Sequence, residues 1–426
     1  MKRLTIVLVL LLLLPLLACT QPAPGVLVKS DKERITSPDV SQSDQALLVE
    51  GNSAFAFELY RALKGEEGNL FYSPYSISLA LAMTYAGARG ETAEQMAATL
   101  QFILDQDRLH PAFNWLDAEL ASRGEGAQGK DGEGFRLNIA NAIWGQEDYT
   151  FLPDFLDVLA ENYGAGLRVM DFITQAEKSR LAINEWVSDQ TNNRIPELVP
   201  QGAIGALTRL VLTNAIYFNA AWAYPFDEKA TANGPFYLLD GGQVTVPMMR
   251  QTESFGYADG DGYQAVELLY DGNELSMVIL LPEVGHFQTF EEGLQAQQVS
   301  DIISDLQLGQ VALTMPKFEF DSEFSLKDTL TGIGMRDAFS PSDADFSGMT
   351  GNRELFISDV VHKAFIAVDE AGTEAAAATA VIVGTTSAPG EPPVEVTLDR
   401  PFIFLIRDIE TGTILFVGRV LNPMQD

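Results

Sequence analysis

Leu47-Leu48, Asn52, Phe55 and Leu59 recur at helical spacing, which predicts an amphipathic helix over residues 44–63, closed by the glycines at 65 and 68. Ser73-Pro74 then offers a hydroxyl cap followed by proline at the first helical position. The helix it starts is small and apolar nearly all round up to Gly87, so it is expected to be buried. A further helix begins at Glu91. Residues 123–134 are Gly-rich and charged and read as a surface insertion. Residues 135–144 read as a buried strand, and residues 149–162 and 176–191 as helices. The β-rich run 209–218 reads as a central strand buried on both faces. Short strands with turn signals fill 234–282, including the turn at Tyr270-Asp271-Gly272-Asn273. Residues 287–308 read as helical, 311–320 as an alternating strand and 326–335 as a short helix. Strands are expected again at 355–369, 394–398 and 401–420, the last pair turning at Glu410-Thr411-Gly412. Helices dominate the first part and strands the second, which fits an α+β fold.

Residues 368–384 resist this scheme. Four consecutive alanines, Ala375 to Ala378, favour a helix, and Val381-Ile382-Val383 favours a strand. Read with period two, one face carries Thr373, Ala375, Ala377, Thr379, Val381 and Val383. The other carries Glu374, Ala376, Ala378, Ala380 and Ile382. Gly372 offers a pivot, and the run to Pro393 reads as exposed loop. The segment is either an ordinary Ala-rich helix with a loop after it or a switch between loop and strand.

Composition changes the picture at the N-terminus. Lys2 and Arg3 precede an apolar run, Leu4 to Leu17, too short for a comfortable membrane span. It ends Leu16-Leu17-Ala18-Cys19, which resembles a bacterial lipobox with Cys19 as the lipidated residue. The other reading is a plain secretory signal cut near Ala18 or Ala23. Residues 1–18 are thus expected to be a signal peptide, 19–43 a flexible tether and 44–426 the folded domain. The product is expected across the cytoplasmic membrane, lipid-anchored at the cell surface or the periplasmic face, or extracellular. Cys19 is the single cysteine, so no internal disulfide can form. Net charge is −32, and −34 once Lys2 and Arg3 are removed. That argues against nucleic acid and against anionic lipid surfaces, beyond an anchor at Cys19.

No motif for catalysis stands out. There is no G-x-S-x-G, H-E-x-x-H or P-loop. Gly332-Ile333-Gly334 lacks a third glycine. Asp259 and Asp261 resemble the start of a calcium loop, but Leu268 stands where its last acidic ligand belongs. The three histidines, His110, His286 and His362, would all be needed for one three-histidine metal site. The chain is expected to be no enzyme and to need no cofactor or metal.

Several stretches in order resemble the serpins from about residue 44 to the C-terminus. They are Asn69-x-x-x-Ser73-Pro74-x-Ser76-Ile77; Thr213 to Phe218 with Trp222 and Pro225-Phe226; Met315-Pro316-Lys317-Phe318; His362-Lys363-Ala364; Glu370-x-Gly372-Thr373-Glu374 with Ala375, Ala376, Ala377, Ala378 and Thr379; Asp399 to Phe404; and Gly418 to Pro423. Asn219-Ala220-Ala221 departs from the basic, Gly-containing turn more usual there. The resemblance implies mixed sheets A, B and C, about nine helices and an exposed reactive-centre loop. It implies a hinge at Glu370–Thr379, a shutter containing Ser73, Ser76, Asn214 and His362, and a breach tryptophan at Trp222. The implied activity is suicide-substrate inhibition by a monomer. A serine protease forms an acyl-enzyme on the loop, which then inserts into sheet A. Counting from Glu370 puts the cut bond at Thr386-Ser387, with Thr385 or Ser387 also able to hold the cleaved position. Small uncharged residues there suit elastase-like or subtilisin-like targets. The alternative is a non-inhibitory serpin acting as a binding protein, but such members usually carry bulky, charged or proline residues where this chain has alanines.

Overall fold

The structure, a computed structural model, describes residues 25–124, 127, 136–373 and 392–425. Cys19, Glu374–Thr379 and Thr386-Ser387 lie outside these, as does most of the insertion expected at 123–134.

In chain order the strands are β1 (Val26–Val28), β2 (Leu70–Tyr72), β3 (Arg136–Gln146), β4 (Leu167–Met170), β5 (Leu210–Ala221), β6 (Ala232–Tyr237), β7 (Gln243–Gly260), β8 (Tyr263–Leu269), β9 (Leu275–Pro282), β10 (Gln307–Pro316), β11 (Phe318–Ser325), β12 (Ile357–Val368), β13 (Gly372–Thr373), β14 (Val394–Thr397), β15 (Phe402–Asp408) and β16 (Ile414–Val420). Seven form one sheet, ordered β1-β4-β3-β5-β13-β12-β11, and the rest form a second. The second and third sheets implied by the resemblance are joined here. The 18-residue β7 pairs with β6 and β10 along most of its length and with β8 at its end.

The helices that place the site are α1 (Gln42–Leu63), α2 (Pro74–Tyr85), α3 (Gly90–Thr99), α4 (Gln106–Ala121), α5 (Pro153–Tyr163) and α6 (Ala176–Gln190). Every residue of α2 is buried, because it packs between β3 and β5 of the first sheet and β16 of the second. The Ser73 hydroxyl caps it, accepting from the Ser76 amide at 3.1 Å. On the opposite face of the first sheet, Ile183 and Val187 of α6 pack with Trp144, Val211 and Ala215. β5 is therefore covered on both sides, as its continuous apolar run predicts.

Three sequence expectations need correction. Residues 311–320 are not one strand: the chain leaves the second sheet at Pro316 and enters the first at Phe318. Helix α4 is masked in the sequence pattern because Pro111 lies inside it, although Leu109, Phe113, Leu116 and Leu120 keep helical spacing and are buried. Residues 25–41, read as part of a flexible tether, are instead docked. β1 pairs antiparallel with β4 and so forms the edge of the first sheet. Beyond it Ser30 bonds Asp157 at 2.6 Å, Lys32 meets Asp157 and Glu161, and Arg34 meets Asp117 and Asn114.

Candidate functional site

The seam between β5 and β12 organises the molecule. These strands run parallel, with His362 opposite Asn214, and pair directly from Leu210/Ile357 to Tyr217/Phe365. Parallel pairing brings one polar side chain from each strand to the N-terminus of α2. All four predicted shutter residues meet there. The Ser73 amide donates to His362 Nε2 at 3.3 Å. Nε2 is thus an acceptor, so the ring hydrogen sits on Nδ1 and is donated to Asn214 Oδ1. The Asn214 amide donates to Ser76 Oγ at 2.6 Å and to Asn141 Oδ1. Ser76, Asn214 and His362 are fully buried. Burial drives the His362 pKa down to about 3, so the imidazole is neutral. The network ties β3, β5, β12 and α2 together with uncharged hydrogen bonds. Its strands can separate without exposing a buried ion.

A second cluster sits where β5 ends. Beyond Val368 the chain turns tightly: Asp369 Oδ1 accepts from the amides of Ala371 (2.7 Å) and Gly372 (3.3 Å). Trp222 Nε1 donates to the Asp369 carbonyl at 3.0 Å, and the backbone amides of Trp222 and Phe226 donate to the carbonyls of Ala371 and Glu370. Glu370 is buried and accepts from Lys317 Nζ and Thr231 Oγ1, both at 2.7 Å. Burial raises this carboxyl, but the two bonds outweigh it and hold the group below its ordinary range.

Gly372 and Thr373 then form β13. They pair with Ala221 and Ala220 of β5 on one side, and Thr373 pairs with Val368 of β12 on the other. These hinge residues were expected in an exposed loop before cleavage. They stand between the two strands instead, and Thr373 is fully buried. A Cβ on Gly372 would lie 2.2 Å from the Ala220 carbonyl oxygen, so only glycine fits. The departure at Asn219-Ala220-Ala221 therefore falls where the loop docks, and its small side chains leave room for it.

Four residues of these clusters, Asn141, Thr231, Tyr270 and Lys317, carry no site assignment from the sequence. Asn141 is a polar side chain in a strand read as buried, which was a usable signal. Tyr270 was read only as part of a turn. Its ring stacks on Trp222 with centroids 4.6 Å apart, and its hydroxyl is 2.8 Å from Thr373 Oγ1. Lys317 gives no sign in sequence that it pairs with Glu370.

The family model described as "Serpin (serine protease inhibitor)" matches residues 50–423. The chain belongs to the serpin family. Its relatives include an uncharacterised serpin-like protein of Thermococcus kodakarensis, 42% identical over 386 residues, covering 90% of this chain and 88% of that one. The leukocyte elastase inhibitor of Homo sapiens is 40% identical over 387 residues, covering 88% and 99%. Among solved structures, the thermophilic serpin tengpin in its native state superposes with a TM-score of 0.82 at 28% identity, covering 93% of this chain and 99% of that one. Uncleaved ovalbumin gives 0.78 at 26%, covering 88% and 100%. Family membership supports serine protease inhibition at the level of class, with a serine protease as the partner. It also corrects one expectation. The reading that this serpin is no enzyme goes further than these findings carry, since they describe an inhibitor of proteases and do not address catalysis by the chain itself.

Proposed function

We propose that this serpin inhibits serine proteases as a suicide substrate. A protease attacks the loop that begins at Glu370 and forms an acyl-enzyme. The cut loop then inserts between β5 and β12 and carries the protease with it before deacylation. The observation that carries this reading is β13. The loop leaves β12 and turns back into the seam, with Thr373 seated between β12 and β5. Insertion would continue from that point, separating the direct β5–β12 pairing. About ten residues of new ladder, at roughly 1 kcal/mol net per hydrogen bond, contribute on the order of 10 kcal/mol. The uncut form is then held by a kinetic barrier. Ala375 and Ala377, two and four positions beyond Thr373 in sequence, would fall on its face in an extended strand and are small enough to cross the seam. The cut is assigned to Thr386-Ser387 by counting from Glu370. Elastase-like targets fit the small residues there and the elastase-inhibitor relatives.

The test is thermal unfolding before and after limited elastase cleavage of the loop. A large rise in midpoint is expected, since the inserted strand adds a central ladder. An unchanged midpoint on cleavage between residues 383 and 388 would favour the non-inhibitory, binding-protein alternative.

A further inference from the structure

Thr373, seated in the seam, meets a side chain from outside both the loop and the first sheet. Tyr270 follows β8 of the second sheet, is fully buried and points its hydroxyl at Thr373. Its ring is fixed on two sides, stacked on Trp222 and edge-on to Phe218 at 5.2 Å. Trp222 is itself tied to the loop through Asp369 and Ala371. The Tyr270 hydroxyl is thus aimed by its surroundings, and the Thr373 hydroxyl is the hydrogen-bonding partner it meets.

We infer that Tyr270 is a positioning residue for loop insertion: its hydroxyl latches Thr373 in the seam before any protease arrives. This rests on the trapping reading above. With Gly372 and Thr373 already paired, the cut loop extends an existing two-residue strand instead of starting one. Starting a strand fixes backbone torsions before the hydrogen bonds that reward it have formed. Insertion competes with hydrolysis of the acyl-enzyme, so a lost latch shifts the outcome towards cleaved, released inhibitor. Initial attack on the loop is not slowed, because the latch lies at the loop's base.

Tyr270→Phe removes only the hydroxyl and keeps both ring contacts. Thr373→Val keeps the shape of the side chain without its hydroxyl, and Thr373→Ser keeps a hydroxyl on a smaller side chain. Hydrogen exchange of the intact protein, read on a peptide spanning 369–373, tests the latch without any protease. Exchange is expected to rise roughly three- to tenfold in Tyr270→Phe and Thr373→Val, the worth of one buried hydrogen bond, and to stay near wild type in Thr373→Ser. With elastase as probe, the first two variants are expected to need more inhibitor per protease trapped, with an undiminished rate of loop attack. The double variant Tyr270→Phe/Thr373→Val is expected to be no worse than either single one. Unchanged exchange in both single variants overturns the latch. Raised exchange with an unchanged partition overturns its role in insertion. If the wild type traps no protease at all, the trapping reading fails, and the exchange result still decides whether the latch exists.

Discussion

Lys317 Nζ lies 2.7 Å from Glu370 Oε2, so the residue at which the chain changes sheets grips the residue from which the loop departs. The Lys317 side chain is partly exposed and Glu370 is nearly buried. Lys317→Met removes the charge partner and leaves Thr231 as the remaining side-chain donor to Glu370. A loss of about 1 kcal/mol at neutral pH is expected, modest because solvent screens the lysine. The Glu370 carboxyl titrates below its ordinary range, so the pair stabilises above that range and is lost as pH falls through the folded value. Urea midpoints for wild type and variant should differ at pH 7, and the gap should narrow as pH falls below the ordinary carboxylate range. A constant gap across that range would contradict this assignment.

His362 makes stability depend on pH in the same direction for a different reason. Its folded pKa is depressed to about 3 against an ordinary 6.5, so the unfolded chain binds the extra proton first as pH falls. Stability is full above the ordinary value and declines between about pH 6.5 and pH 3, by up to about 1.4 kcal/mol per pH unit. His110, buried and held at about 4, adds to the slope. His362→Gln should be less stable at pH 7 and lose close to one proton from the slope. Unfolding curves recorded from pH 4 to pH 8 check both effects.

Arg419 is a buried charge with many partners. It donates to the carbonyls of Lys64, Glu66 and Gly68, just beyond α1, and to Glu291. Tyr60 shares the Glu291 carboxylate at 2.8 Å. Arg419→Met leaves a largely buried carboxylate with one neutral donor and frees three carbonyls. A loss of roughly 3–5 kcal/mol is expected, seen as a sharply lower thermal midpoint. A change under 1 kcal/mol would mean that water replaces the guanidinium.

The docked arm carries its own expectation. Removing residues 1–35 uncovers the edge of β4 and takes Lys32 and Arg34 from Asp157, Glu161 and Asp117. The truncated protein should unfold at lower temperature, and its midpoint should respond less to added salt than that of the full chain, since exposed pairs are screened. Equal midpoints and equal salt responses would show that the arm contributes nothing to stability.

Much of this architecture was legible from local pattern. Ser73-Pro74 marks the start of α2, and the apolar run of β5 marks a strand covered on both faces, because each signal lies within a few residues. Ser76, Asn214 and His362 were found through family motifs, and the structure supplies the register that makes them neighbours. Contacts between distant segments were not legible. Nothing around Lys317 points to Glu370, and nothing around Tyr270 points to Thr373, 103 residues away. Pro111 hid α4 because a helix tolerates proline once tertiary packing holds it. The arm's polar composition matches a tether, while its partners are acidic residues of α4 and α5, distant in sequence.

Thr373 bears most directly on the trapping mechanism, since it is fully buried between β5 and β12. Wild type and Thr373→Arg should each be incubated with elastase and run on a denaturing gel, with the loop fragment identified by mass spectrometry. Wild type is expected to give a band stable to detergent at the summed mass of inhibitor and protease. Thr373→Arg is expected to be cut at the same bond and released, because a guanidinium cannot cross the seam. A covalent complex of Thr373→Arg at wild-type yield would contradict insertion as the step that traps the protease.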